Sequence, residues 1–419
     1  MSSLGVRVEA AERERIQKFI GEVFNPLHRA EQRRWARAYL WGLLHTPGKK
    51  TPRRMAQAGL MPTGAAHGLH QFINSSPWTW EPVRSALART IAASRPAYAW
   101  TTADVLIPKQ GEHSVGVHRR LDQATGRTIN CQRGLGLFLA TTTGAGTGTQ
   151  CFPVDWNLVL DGAWDWDDLR RRRARIPEAE TGRPVGAYVL GFAAGVAAHS
   201  RLPDAPWVLN LTRRCDDASG VMAGLARRGL DFVCEVDPGQ IVLIGRPSPR
   251  VITVGELMEE PHARQPHVLM RQSEQGGSKG VRVNVYGGPV RLAQRGAGKD
   301  VSRPYHVLEQ PSADGAQSAR YWITSLLDRG VDEVLALARS QAAARTTVAA
   351  LREGFGVLDF EGRSFPGWHH HMTMVSAAYA YRHLYGAPDA VPAPAVPMPR
   401  ASAETANRWA QAGAKGLGA

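Results

Sequence analysis

The apolar positions of this chain change period near residue 96. Upstream, in "AEQRRWARAYLWGLLH", Trp35, Tyr39, Leu40, Leu43 and Leu44 recur at the spacing of one helix face, with Arg33, Arg34 and Arg37 between them. "MAQAGL" and "GAAHGLHQFINSSPW" read as shorter helical pieces punctuated by Asn-Ser and Ser-Pro. Residues 1–95 are expected to form a helical domain.

From Ala99 the pattern suits strands: "AWTTADVLIP", "HSVGVHRRL", "GLGLFLATTT" and "CFPVDWNLVL", with short Gly-, Asn- and Asp-bearing connections that predict an antiparallel meander. The glycines of "TTTGAGTGTQC" fit a hairpin loop, because a phosphate cradle needs a following Lys-Ser/Thr and a helix start. Next comes an acidic, aromatic and arginine-rich excursion, "DGAWDWDDLRRRRARIPEAE". The helix "PVGAYVLGFAAGVAAHS", the strand "PWVLNL", the helix "ASGVMAGLARRG" and the strand "DFVCEVD" then alternate, which points to a mixed sheet with helices on its faces. Residues 239–318 are β-rich, "ARYWITSLL" is a further strand, and one long helix is expected from Val331 to Gly354. A last helix follows "FEGRS", and the Pro-rich residues 387–419 predict a disordered tail.

At 419 residues the chain is long enough for two or three domains. No apolar run reaches the ~18 residues of a membrane span, and the charged stretch from Arg7 to Glu22 is no signal-peptide core, so a cytoplasmic protein is expected. Cys131, Cys151, Cys215 and Cys234 lack C-x-x-C spacing and read as reduced structural thiols. The formal charge of +14 favours a polyanionic partner, although an Arg-, Ala- and Gly-rich composition also accompanies GC-rich coding. Arg33, Arg34, Arg37, Lys49, Lys50, Arg53 and Arg54 face only Glu31 between Arg29 and Arg54. This density suits contact with a DNA backbone; the plainer reading is a solvated face.

Six segments, "PKQGEHSVGVHRR", "TINCQRGLGLFLAT", "PVDWNLVL", "RRRRARIPE", "VMAGLARRGLDFVCEV" and "FEGRSFPGWHHHMTM", stand in an order that resembles the DDE transposases of bacterial insertion sequences. These carry a DDE superfamily endonuclease signature on an RNase H-like domain. The likeness runs over roughly residues 25–386. It implies an α/β (α+β) fold: an RNase H-like mixed sheet flanked by helices over 96–386, a β-rich insertion around 239–318 and a helical DNA-binding domain before it. It also implies three carboxylates that hold two divalent metals for in-line displacement at phosphorus.

This chain departs from that pattern at each acid. The family's acidic pair before "PKQG" is Ala103 and Asp104 here, which leaves Asp104 as the surviving acid. Counting back from Asp216 and Asp217 puts Leu211 at the second position, or Asn210 after a one-residue slip. Arg345 takes the third, and Glu333 and Glu353, the nearest acids on that helix, lie at least ~12 Å away along it. A guanidinium there repels Mg²⁺, and an ion pair between Asp104 and Arg345 is expected instead.

The resemblance therefore implies a transposase-derived protein that binds double-stranded DNA without cutting it, with no cofactor and no metal. Lys109, Arg119, Arg120 and Arg363 join the basic N-terminal residues as DNA contacts, and a nucleoid location and a homodimer on DNA would follow. One alternative is an active transposase using Mg²⁺. Another is a reused fold with a non-nucleolytic role, in which Asp104 and His113 serve other acid-base work. His369, His370 and His371 cannot all face one ion from successive helical positions and are read as structural or DNA-facing. Trp164 and Trp166 are read as core anchors in preference to base-stacking groups, and the arginines at 170–173 as either a self-paired face or a DNA contact.

Overall fold

The computed structural model describes residues 3–122, 126–143, 148–212, 215, 217–260, 264–272, 278–293, 303–311 and 319–386. The tail at 387–419 and Asp216 lie outside the described residues.

Five helices come first: α1 (Ser3–Val23), α2 (Ala30–His45), α3 (Pro52–Ala58), α4 (Ala65–Asn74) and α5 (Glu81–Ser94). Helix α2 buries Tyr39, Leu40, Leu43 and Leu44, the apolar stripe of the sequence, and keeps Arg34 and Arg37 exposed. Thr51 caps α3 through the Arg54 N–H, and Pro52 stands in its first turn, where no backbone donor is needed.

The meander follows as β1 (Ala97–Pro108), β2 (His118–Asp122), β3 (Arg127–Thr142) and β4 (Thr149–Val159). Strand β2 is shorter than its apolar pattern suggests, and β3 begins before its own. The two pair at Cys131 to Arg127, whereas β4 lies along the rest of β3. The excursion is helical, with α6 (Ala163–Trp166) and α7 (Asp168–Ala174). Next come α8 (Val185–Ala197), β5 (Trp207–Asn210), α9 (Ala218–Arg227) and β6 (Phe232–Val236). The order β4-β3-β1-β5-β6, with β1, β5 and β6 parallel and the meander antiparallel, is the mixed sheet of an RNase H-like fold.

The β-rich stretch divides in two. A three-stranded sheet holds β7 (Ile241–Ile244) and β8 (Arg250–Thr253), and α10 (Val254–Glu259) follows directly. Strands β9 (Arg264–Gln272) and β10 (Ser278–Tyr286) are a hairpin; β11 (Arg291–Leu292) completes the small sheet. Strands β12 (His306–Gln310) and β13 (Arg320–Thr324) join the hairpin to β6, so part of this stretch continues the main sheet.

The expected long helix is two, α11 (Val331–Ala338) and α12 (Ser340–Gly354), separated at Arg339. Helix α12 lies on β1 and β4. Helix α13 (Phe365–Tyr385) is buried on nearly every side, which explains its lack of a polar stripe: it packs on β4 and also on α2, α4 and α5. Buried Arg84 of α5 ties these layers together, donating to Thr373 Oγ1 (2.8 Å), Asp155 Oδ1 (2.6 Å) and the carbonyls of Trp156 and His369.

Candidate functional site

Strand β1 pairs with β3 without irregularity from Ala99 to Pro108, so its side chains alternate strictly between two faces. Thr101 accepts a hydrogen bond from Gln341 of α12 (2.8 Å), whose amide also donates to the Val208 carbonyl (2.7 Å). Gly134, opposite Val105, stands against Trp368 of α13. Thr101, Ala103, Val105 and Ile107 therefore share the face covered by α12 and α13.

Asp104 lies on the reverse face. One of its carboxylate oxygens accepts from Arg133 Nε (3.0 Å) and Nη2 (2.7 Å). Both side chains are largely buried, at 12% and 15% exposure. The partner of Asp104 is thus Arg133 and not Arg345, which is exposed on α12 and has no ion pair among the described residues. Strand alternation separates the acid from α12, and sequence spacing along β1 could not say which of the two neighbouring positions faced the helix. Ala103 does.

Thr101 pairs with Val208 in the parallel β1–β5 ladder, and two residues further along both strands bring Ala103 and Asn210 to the same face. Leu211, just past β5, is buried in the apolar core. Asn210 Nδ2 donates to Glu235 Oε2 (2.9 Å), and its Oδ1 accepts from the Thr212 N–H (3.1 Å) and hydroxyl (2.7 Å). Glu235, opposite Asn210 in the β5–β6 ladder, accepts from both Nε and Nη2 of Arg320 (2.8 Å each). The Arg320 guanidinium rests 4.8 Å from the Trp322 ring centre. A row of Ala103, Asn210, Glu235 and Arg320 thus crosses β1, β5, β6 and β13. Glu235 carries a single signal in the sequence, a charge inside an apolar strand, and is not among the expected site residues.

Two hard divalent cations need anionic oxygen ligands. On the α12 face this row offers an alanine, an amide and a carboxylate already neutralised by a bidentate arginine. Among the described residues no three His, Cys, Asp or Glu side chains gather to hold a metal. The described residues of this row do not supply the anionic ligands of a two-metal centre.

The basic positions divide by exposure. Arg34, Arg37, Lys49, Arg53, Arg54, Arg119 and Arg363 are exposed. Arg34 touches Glu31 at 3.6 Å and Arg37 donates to Gln17 (2.7 Å). The others have no ion pair among the described residues. Arg33 turns back to the Leu27 and His28 carbonyls. Arg120 pairs with Asp161. Lys50 is a correction to the expected DNA contacts: its side chain is buried and its ammonium donates to the Thr46 carbonyl. Lys109 donates to the Phe360 carbonyl, and burial, only partly offset by Asp359 and Glu361, lowers its pKa to about 8.

The "FEGRS" segment is a junction. The Lys50 N–H reaches Asp359 Oδ2 (2.8 Å), Arg175 donates to the Asn74 carbonyl and Ser364 Oγ (2.9 Å), and Ser364 caps α13. The three histidines after it are buried, not DNA-facing. His370 contacts the Ile73 and Trp78 carbonyls, and His371 bridges the Tyr39 hydroxyl and the Gly356 carbonyl. In the excursion, Trp164 is core, its Nε1 donating to the Val117 carbonyl (2.8 Å), whereas Trp166 is 74% exposed, against the expectation for it. Arg171 is buried and satisfies the Trp164, Pro177 and Glu180 carbonyls, while Arg172 and Arg173 are exposed.

No described helix is long and apolar enough to cross a membrane. A family model described as DDE superfamily endonuclease matches residues 22–267. Among curated proteins nothing matches.

Proposed function

The chain belongs to the DDE superfamily endonucleases, and from that premise we propose a transposase-derived protein that binds double-stranded DNA and makes little or no strand cleavage. Family membership implies DNA as the partner. One observation carries the rest: on the face of β1 and β5 covered by α12 stand Ala103 and Asn210, while Asp104 is turned to the reverse face and paired with Arg133. Arg345, at the third expected position, adds a positive charge in place of a negative one.

The exposed arginines of the helical part and the 361–364 loop supply phosphate contacts, and no cofactor takes part. Such a protein acts at the nucleoid, and a homodimer on DNA would place two sets of basic helices along one duplex. Titrating labelled duplex at several salt concentrations tests the binding, which should fall steeply as salt rises because each phosphate contact releases counterions. Incubating the protein with Mg²⁺ or Mn²⁺ and DNA carrying terminal inverted repeats tests the loss of cutting. Nicking by the wild type, abolished by Asp104→Ala, would restore the active-transposase reading.

A further inference from the structure

Helix α12 buries Gln341, Ala343, Ala344, Thr347, Val348 and Leu351. Its exposed positions are Ala342, Arg345, Thr346, Ala349, Arg352 and Glu353, followed by the terminal Gly354. Arg345 and Arg352 are seven residues apart, two helical turns, so they share one stripe with their Cα atoms about 10 Å apart. Between them the stripe holds only Ala349 and the edge of Thr346. Small side chains there let a backbone come close, and the two guanidinium groups stand to either side.

Neither arginine has an ion pair among the described residues. Both are carried on a rigid element: Gln341 fastens the helix to β1 and β5, and the Thr347 hydroxyl donates to the Cys151 carbonyl of β4 (2.9 Å). Just beyond α12, Gly356 lies against the Lys50 side chain. The loop carrying exposed Lys49 therefore closes on the end of this helix, with exposed Arg53 and Arg54 just after it in the first turn of α3.

We infer that the exposed stripe of α12 is a phosphate-binding surface for double-stranded DNA, with Arg345 and Arg352 as its contacts. The inference rests on the DNA-binding reading above. The separation of the two arginines corresponds to about three steps of ~3.4 Å axial rise along one strand, so both can reach phosphates of the same backbone. Planar guanidinium groups suit phosphate oxygens geometrically as well as by charge. Contacts of this kind carry no sequence preference of their own and fix where the duplex lies across the sheet.

The test uses the full chain and a short fluorescent duplex of random sequence. The double substitution Arg345→Ala with Arg352→Ala should weaken binding about tenfold at low salt. It should also reduce the slope of log affinity against log salt by close to two, at roughly 0.9 per phosphate contact. Arg345→Lys with Arg352→Lys, which keeps both charges, should retain most of the affinity and the slope, and circular dichroism should report an unchanged fold for both proteins. Wild-type protein that binds while the alanine variant keeps its affinity and slope overturns this surface and leaves the DNA-binding reading standing. Wild-type protein without affinity for DNA at low salt overturns both, and tighter binding of an RNA duplex overturns the choice of occupant.

Discussion

Asp104 and Arg133 are joined by two hydrogen bonds to one carboxylate oxygen, on the face of β1 and β3 turned away from α12. The pair is shielded from solvent, and removal of one member leaves the other charge buried. Asp104→Ala should therefore cost about 3–5 kcal/mol. Asp104→Leu with Arg133→Met should recover much of that loss, as measured by denaturant midpoints. DNA affinity of the folded Asp104→Ala protein should stay near wild type.

His371 stands where α13 meets α2. Its Nδ1 lies 3.0 Å from the Tyr39 hydroxyl and its Nε2 3.0 Å from the Gly356 carbonyl, so a neutral ring accepting at Nδ1 and donating at Nε2 satisfies both. Burial lowers its pKa to about 3, against a raising effect of the Gly356 bond and a further lowering by Lys109. A ring held neutral in the folded state but free to protonate near 6.5 when unfolded favours unfolding as pH falls. Its contribution to stability is present above about 6.5 and is lost progressively from there down toward 3. His371→Gln, which can both donate and accept without titrating, should flatten this part of the stability profile between pH 7 and pH 4. An identical acid profile in the variant would place the sensitivity elsewhere, with His383 the next group to test.

Metal should have little effect. The α12 face presents Ala103 and Asn210, and Arg320 already neutralises Glu235. Mn²⁺ or Mg²⁺ should not raise the melting temperature, and a chelator should not lower it. Titration calorimetry that found two tightly bound Mn²⁺ ions per chain would mean that other carboxylates form a centre and that the enzyme is alive.

Gly362 of the "FEGRS" segment admits no side chain. A Cβ there would stand 2.0 Å from Asn74 Oδ1 and 2.4 Å from the Phe360 ring. Gly362→Ala should destabilise the protein by about 1–3 kcal/mol through overpacking. Asn74→Gly in the same chain should relieve the first of these clashes, and a Gly362→Ala protein as stable as wild type would show that the junction is loose.

Local chemistry in the sequence determined much of this molecule. The apolar stripe of α2, the alternation of β1, the strand-helix-strand run from α8 to β6 and the Ser364 cap of α13 each follow from residues within one or two turns or strands. The resemblance that pointed to the RNase H-like sheet was legible there too, because such folds keep their segments in order along the chain. Alternation along β1 assigns Ala103 and Asp104 to opposite faces, but only the packing of α12 decides which face is the site. The same holds for charges: Glu235 and Arg320 are 85 residues apart, and Lys50 looks like any other member of a basic loop until the 356–359 turn closes over it. Whether a charged group meets a partner, water or a carbonyl depends on which distant element desolvates it, and that is set by tertiary packing alone.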